Sequence, residues 1–246
     1  MIGKWAAALG AVVALGGALS PHVANAKAPG QIILTPQSEE ALVIIKTDWW
    51  QPAPSMHSAF KLLLSTYVDA EARLSSGPFS GTALFEAKQK NFLDGYLMVP
   101  VKPGRWVVRS YSQQDSWALC FNAASFQFEA KPGQVVYLGR FDALSHRQQL
   151  TRQAIASGNT SIRGGGFVDY FDLPQGPIFA PVDAPQIAAV QTMLARRVPG
   201  VSVPVQAVAF TPATFGTGST LYGTRRCGGY FPASGKGKGK GKADKS

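Results

Sequence analysis

Two stretches decide the reading of the fold: GYLMVPVKPGRWVVRSY at 95–111 and SFQFEAKPGQVVYLGR at 125–140. In each, an apolar or alternating run leads into Lys-Pro-Gly, and a second strand-like run follows. Proline fixes φ at the first central position of a tight turn, and glycine accepts the positive φ that a type II turn needs at the second. Lys102-Pro103-Gly104 and Lys131-Pro132-Gly133 therefore predict two β-hairpins, with Gly104 and Gly133 at positive φ.

The flanking sequence continues the pattern. Ala41–Thr47 (ALVIIKT) is β-branched and apolar, as a buried strand requires. Ala59–Val68 fits either strand or helix by length, and Thr66, Tyr67 and Val68 favour strand. Ser75–Gly81 is a turn cluster, and Thr82–Ala87 reads as another strand. No helical periodicity separates these runs, so the fold class is mainly β, an antiparallel β-sandwich.

Beyond Phe141 the texture changes. Ala143–Ser157 is polar with scattered Leu144, Leu150 and Ile155, a pattern open to a short helix. Residues 157–169, with Gly164, Gly165 and Gly166, read as a loop. One C-terminal α-helix is expected at about 183–198. Asp183 caps it, Pro185 is tolerated in its first turn, and Ile187, Val190 and Leu194 share a face. Arg196 and Arg197 suit its negative end, and Pro199-Gly200 stops it. Val201–Val205 then alternates as an edge strand carrying Pro204.

The two ends carry different messages. Lys4, the apolar run Trp5–Leu19, the break at Ser20–Val23 and the small-x-small Ala24-Asn25-Ala26 predict a cleavable signal peptide over 1–26, with Lys27 first in the mature chain. The apolar run falls short of the ~20 residues that span a bilayer. No Cys lies near residue 26 to take a lipid, and no later stretch is apolar enough to span. The expected location is periplasmic or secreted. Residues 27–234 read as a single β-sandwich domain with a helical and loop extension. Residues 235–246 read as a disordered Gly/Lys tail, in which Lys236, Lys238, Lys240 and Lys242 alternate with glycine. The formal charge of +10 owes much to this tail. Its partner is therefore expected to be an anionic envelope surface, lipid phosphate or polyanionic glycan, rather than nucleic acid.

The strand-KPG-strand units behind an export signal resemble the small β-sandwich modules of bacterial envelope proteins such as PEGA-type domains. The resemblance spans roughly 41–142 and rests on Lys102-Pro103-Gly104 and Lys131-Pro132-Gly133; the PEGA tetrapeptide itself is absent. It implies an extracytoplasmic, non-catalytic binding or structural module and brings no catalytic residues.

Candidate sites are sparse. Cys120 and Cys227 are the only cysteines, and in an oxidising compartment they are expected to form one disulfide. Past the leader, His57 and His146 lack metal-ligand spacing and read as surface residues, so no metal or cofactor is expected. No nucleophile elbow occurs, and the glycines at 216–223 lack the P-loop lysine. Asp169 and Asp172, in an aromatic and glycine-flanked stretch, are the first carboxylate pair to inspect for glycoside hydrolysis. Trp49 and Trp50 are candidates for a sugar-stacking platform, although neighbours on a strand face opposite ways. The function expected is an exported non-enzymatic envelope protein that binds or scaffolds. The alternative is an exported carbohydrate-active or other hydrolytic enzyme.

Overall fold

The computed structural model describes residues 22–25, 29–47, 59–75, 81–162, 168–173, 175–216, 218–220, 223–227 and 229–232. In chain order the elements are β1 (His22–Asn25), β2 (Ala41–Lys46), β3 (Lys61–Val68), β4 (Arg73–Leu74), β5 (Gly81–Glu86), β6 (Tyr96–Val101), β7 (Gly104–Gln113), β8 (Trp117–Cys120), β9 (Ser125–Ala130) and β10 (Val135–Arg140). Then come α1 (Ala143–Ser157), β11 (Asp169–Asp172), α2 (Ala184–Arg197), β12 (Val205–Ala207), β13 (Thr211–Ala213), β14 (Gly218–Thr220), β15 (Gly223–Arg226) and β16 (Gly229–Pro232).

The fold is mainly β, with mixed sheets arranged as a half-barrel. The large sheet runs β1-β5-β3-β7-β8-β11, with β9 also on β7, β13 on β9 and β4 on β3. The small sheet runs β12-β10-β2-β6, and β14, β15 and β16 form a third. The strands are not all antiparallel as expected. β1 with β5, β8 with β11, β2 with β10 and β10 with β12 are parallel pairs. Apolar runs mark strands but not their sense. Here the chain leaves the small sheet after β6, builds β7 to β9 in the large one, and returns as β10 beside β2. So long a crossover permits parallel pairing.

The Lys-Pro-Gly turns explain that path, and they correct the hairpin reading. β6 pairs with β2 in the small sheet, while β7 pairs with β3, β8 and β9 in the large one. β9 belongs to the large sheet and β10 to the small. Each turn therefore carries the chain across the core from one sheet to the other. The local expectation does hold: Gly104 has φ +137° and Gly133 φ +62°. A genuine hairpin joins β7 to β8, turned by Gln114 and Asp115, both at φ +54°. Two positive φ values at the central positions are the mark of a type I′ turn, here made without glycine.

The main core lies between the sheets. Val43 and Ile45, Leu97 and Val99, Val136 and Leu138 from the small sheet meet Leu62 and Leu64, Phe85, Trp106, Val108 and Tyr111 from the large one. The other face of the small sheet is also covered. Leu42, Ile44, Met98 and Tyr137 pack beneath Val190, Met193 and Leu194 of α2. Burial on both faces is why ALVIIK and YLMVPV read as unbroken apolar runs. The outer face of the large sheet carries Tyr67, Val107 and Cys120, covered by Ala213, Phe215 and Cys227. The Cys120–Cys227 disulfide is present, with Cα atoms 5.3 Å apart across a separation of 107 residues.

Two helices are present rather than one. α1 is capped by Asp142, whose side chain accepts from Ser145 N–H, and it ends at Gly158 in the left-handed region. It covers the stretch the sequence left open to a short helix, and its buried face, Ala143, His146, Leu150 and Ala154, is only weakly apolar. α2 carries the expected Asp183 cap, completed by Gln186 as a capping box. It is not the C-terminal element, since β12 to β16 follow it. Among the described residues no helix is long and apolar enough to cross a membrane. Cleavage after Ala26 would remove β1 and leave β5 as an edge of the large sheet.

The crossings make an unequal prediction for the two turn glycines. A Cβ on Gly104 would meet nothing within 4 Å, whereas one on Gly133 would lie 2.7 Å from the Pro36 carbonyl oxygen and 2.9 Å from that of Thr35. Gly104→Ala should cost about 1 kcal/mol through φ alone. Gly133→Ala adds a collision with backbone and should cost about 2–4 kcal/mol. Denaturant unfolding measures both, and a Gly133→Ala protein as stable as the Gly104→Ala one would contradict this packing.

Candidate functional site

The second Lys-Pro-Gly crossing has a neighbour running the other way. β12 belongs to the small sheet and β13 to the large one, so residues 208–210 carry the chain back across the core edge. β12 lies against β10 with Val136 opposite Gln206, and β13 lies against β9 with Thr211 opposite Gln127. Phe210 stacks on Phe126 at 5.2 Å between ring centroids and meets Phe128 edge-on at 6.2 Å. These rings hold the two crossings apart.

Between the crossings lies a cavity of about 380 Å³. Alternation along β9 puts Gln127 and Glu129 on one face, opposite Phe128. Arg105, paired across from Glu129 on β7, joins them, and Lys131, Gln134, Gln206 and Thr211 complete the polar wall. Val136 and Val208 supply apolar floor. Asp69, just past β3, organises one side. Its Oδ1 accepts from Gln127 Nε2 at 2.7 Å and its Oδ2 from Arg105 Nη1 at 2.5 Å. On the other side Gln134 Nε2 donates to Gln206 Oε1 at 2.6 Å, and Gln134 Oε1 accepts from the Lys131 N–H at 2.9 Å. Among the described residues, the Gln127 carbonyl, the Gln206 amide N–H groups, the Glu129 carboxylate, the Lys131 ammonium and the Thr211 hydroxyl are left without protein partners. Arg105 and Lys131 are balanced in charge by Asp69 and Glu129.

A second cavity, of about 280 Å³, lies between the β7–β8 turn and α1. It is lined by Gln113, Gln114, Trp117, Arg147, Thr151 and Ile155, among others. Trp117 donates its Nε1–H to the Asn159 carbonyl at 2.5 Å. Arg147 is thus part of a cavity wall, and Arg152 is exposed on α1.

Asp169 and Asp172 bound β11. Residues three apart on a strand point to opposite faces, so these two do not confront each other as a glycosidase pair must. Neither lines either cavity. Desolvation pushes the Asp172 carboxyl up. Among the described residues no cluster of three or more His, Cys, Asp or Glu is placed to hold a metal. Trp49, Trp50, His57, Arg163, Lys236, Lys238, Lys240 and Lys242 lie outside the described residues.

His146 is not on the surface, as the sequence reading had it; it is fully buried. The rings of Tyr111, Phe121 and Phe141 surround it, with centroids 5.0–5.7 Å away. Its Nε2 accepts from the Ile178 N–H at 3.0 Å, so its proton sits on Nδ1 and donates to Gln149 Oε1, also 3.0 Å away. Burial holds its pKa below the ordinary value, against the opposing pull of Gln149 and Asp142. A second ring proton would confront the Ile178 N–H. The cavity residues Arg105, Gln127, Gln134 and Gln206 were missed in the sequence reading. The one available signal was the alternation of Gln127, Glu129 and Gln134 around the second turn. Nothing local ties Asp69 or Gln206 to it.

His146 sets the sign of a pH effect. A depressed folded-state pKa means the unfolded chain takes up the proton first, so stability is complete above the unfolded histidine value of about 6.5 and declines as pH falls through it. Melting temperature should drop between about pH 7 and pH 5, and His146→Gln should flatten that slope while lowering stability throughout. A wild-type slope retained in the variant would assign the effect elsewhere.

No family model, curated protein or solved structure matches this chain, so its functional reading rests on its own geometry.

Proposed function

We propose that this chain is an exported, non-enzymatic binding module that captures a small polar ligand between its two adjacent sheet crossings. One observation carries the reading: donors and acceptors on Gln127, Glu129, Lys131, Gln206 and Thr211 converge on one concavity without protein partners. At about 380 Å³ the concavity falls in the range of small-molecule sites. Polar groups placed there exchange water for a ligand that matches them, and gain orientation rather than reactivity.

Export is supported by the signal-like segment at 1–26 and by a buried disulfide, which persists in oxidising compartments. The likeness to PEGA-type modules is a proposal about general class and supplies no residue to the site. The Gly/Lys tail then holds the protein to an anionic envelope surface. Each lysine near such a surface contributes on the order of 1 kcal/mol, and salt screens it over about 8 Å.

Native mass spectrometry of protein taken from its own envelope tests the binding reading. The expected result is an N-terminus at Lys27 and one small-molecule adduct released with unchanged mass. Release of a chemically altered product would favour the enzymatic alternative. Co-sedimentation tests the tether. The chain ending at Ser234 should lose salt-sensitive binding to phosphatidylglycerol vesicles, and equal binding by both lengths would remove the tail from the account.

A further inference from the structure

We infer that the cavity between the crossings selects a neutral, polyhydroxylated ligand, one or two rings of a saccharide. This rests on the binding reading above and names the ligand class of that same site. The first argument is charge. Arg105 is committed to Asp69 at 2.5 Å. Lys131 shares the wall with Glu129. A phosphate or carboxylate entering near Lys131 meets the Glu129 carboxylate, and a cation entering near Glu129 meets Arg105 and Lys131. Neither sign of ligand charge gains a clear field.

The second argument is the pattern of donors and acceptors. Gln134 and Gln206 are joined by one amide bond, which leaves the Gln206 N–H groups to donate. Across the cavity, Gln127 is only 7% exposed and is held by Asp69 through its nitrogen, which leaves its carbonyl to accept. The Thr211 hydroxyl, opposite Gln127 in the β13–β9 ladder, both donates and accepts. Vicinal hydroxyls are themselves donor and acceptor at once, and adjacent amides and hydroxyls pair with them in both senses. The third argument is the floor. Val208, half-buried between the exposed Ala207 and Ala209, gives an apolar patch of the kind that takes the C–H face of a sugar ring. The volume, near the lower end of small-molecule sites, suits one or two rings.

The test uses the mature protein and the side-chain amide NMR resonances of its glutamines. The neutral probes are maltose, cellobiose and N,N′-diacetylchitobiose. Digalacturonate is the anionic counterpart and chitosan disaccharide the cationic one. At least one neutral disaccharide should shift the Gln127, Gln134 and Gln206 amides together. Gln206→Leu, at an exposed position, should weaken that binding about tenfold with melting temperature unchanged, and Gln134→Leu should weaken it as much while lowering the melting temperature slightly through loss of the Lys131 N–H bond. Shifts produced only by a charged disaccharide would overturn the neutral-sugar assignment and leave the binding reading standing. No shift from any probe, or equal binding by the leucine variants, would overturn the assignment. A co-purifying ligand of other chemistry, found in the native mass spectrum, would separate that failure from failure of the binding reading.

Discussion

Strand β7 is paired on both edges along most of its length, and the rest of the molecule is arranged to satisfy it. One edge meets β3, from Trp106 opposite Thr66 to Ser112 opposite Lys61, with an irregularity near Leu63 and Leu64. The other edge is divided: Gly104 to Val107 pair with β9, and Ser110 to Gln113 pair with β8. Its side chains are buried on both faces as well, with Trp106, Val108 and Tyr111 inward and Val107 outward. A strand buried on both faces and paired on both edges needs two covers. The small sheet is the inner cover, and Ala213, Phe215 and Cys227 form the outer one. The disulfide holds the outer cover down. Closing so long a loop restricts the unfolded chain by about 4–5 kcal/mol in the chain-entropy treatment. Arg109 lies close to this cover and donates its Nε–H to the Cys227 carbonyl at 2.9 Å, so the disulfide also closes over a cation that burial makes less willing to stay charged.

The candidate site is a consequence of the same routing. Because β9 and β10 belong to different sheets, the chain must cross between them, and β12 and β13 force a second crossing beside the first. Two adjacent crossings cannot continue either ladder, so side chains rather than backbone line the gap. Tight closure is prevented by Phe210, which meets Phe126, Phe128 and Phe179. The gap is polar on the side where β9 turns Gln127 and Glu129 toward it, while Phe128, part of the core, borders it as well.

Local chemistry was legible in the sequence, and long-range partnership was not. Proline and glycine announced the two turns and the sign of φ at Gly104 and Gly133, since those depend only on the residues themselves. They could not announce that the turns cross between sheets, because a strand's sheet is chosen by the partner that best buries it. Asp183, Pro185 and the Ile187–Val190–Leu194 face announced α2 for the same local reason. α1 was muted because its buried stripe uses two alanines and a histidine. His146 gives no apolar signal, yet the rings around it and its two hydrogen bonds bury it in neutral form. The site was legible only in part: Gln127, Glu129 and Gln134 flank one turn, whereas Asp69 and Gln206 reach it through pairings far along the chain. The Asp169–Asp172 spacing could not by itself show how the two carboxylates sit, since on a strand such as β11 residues three apart alternate to opposite faces.

The claim that everything else depends on is that the Lys-Pro-Gly turns join different sheets. Cross-strand backbone NOEs test it most directly. The account predicts contacts between Trp106 and Phe128, between Trp106 and Thr66, and between Val99 and Val43, as the ladders require. A ladder of contacts joining Tyr96–Val101 to Arg105–Ser110 across Lys102-Pro103-Gly104 would instead make the first turn a hairpin and contradict the fold, and one joining Ser125–Ala130 to Val135–Arg140 across Lys131-Pro132-Gly133 would do the same for the second turn and contradict the site built on it.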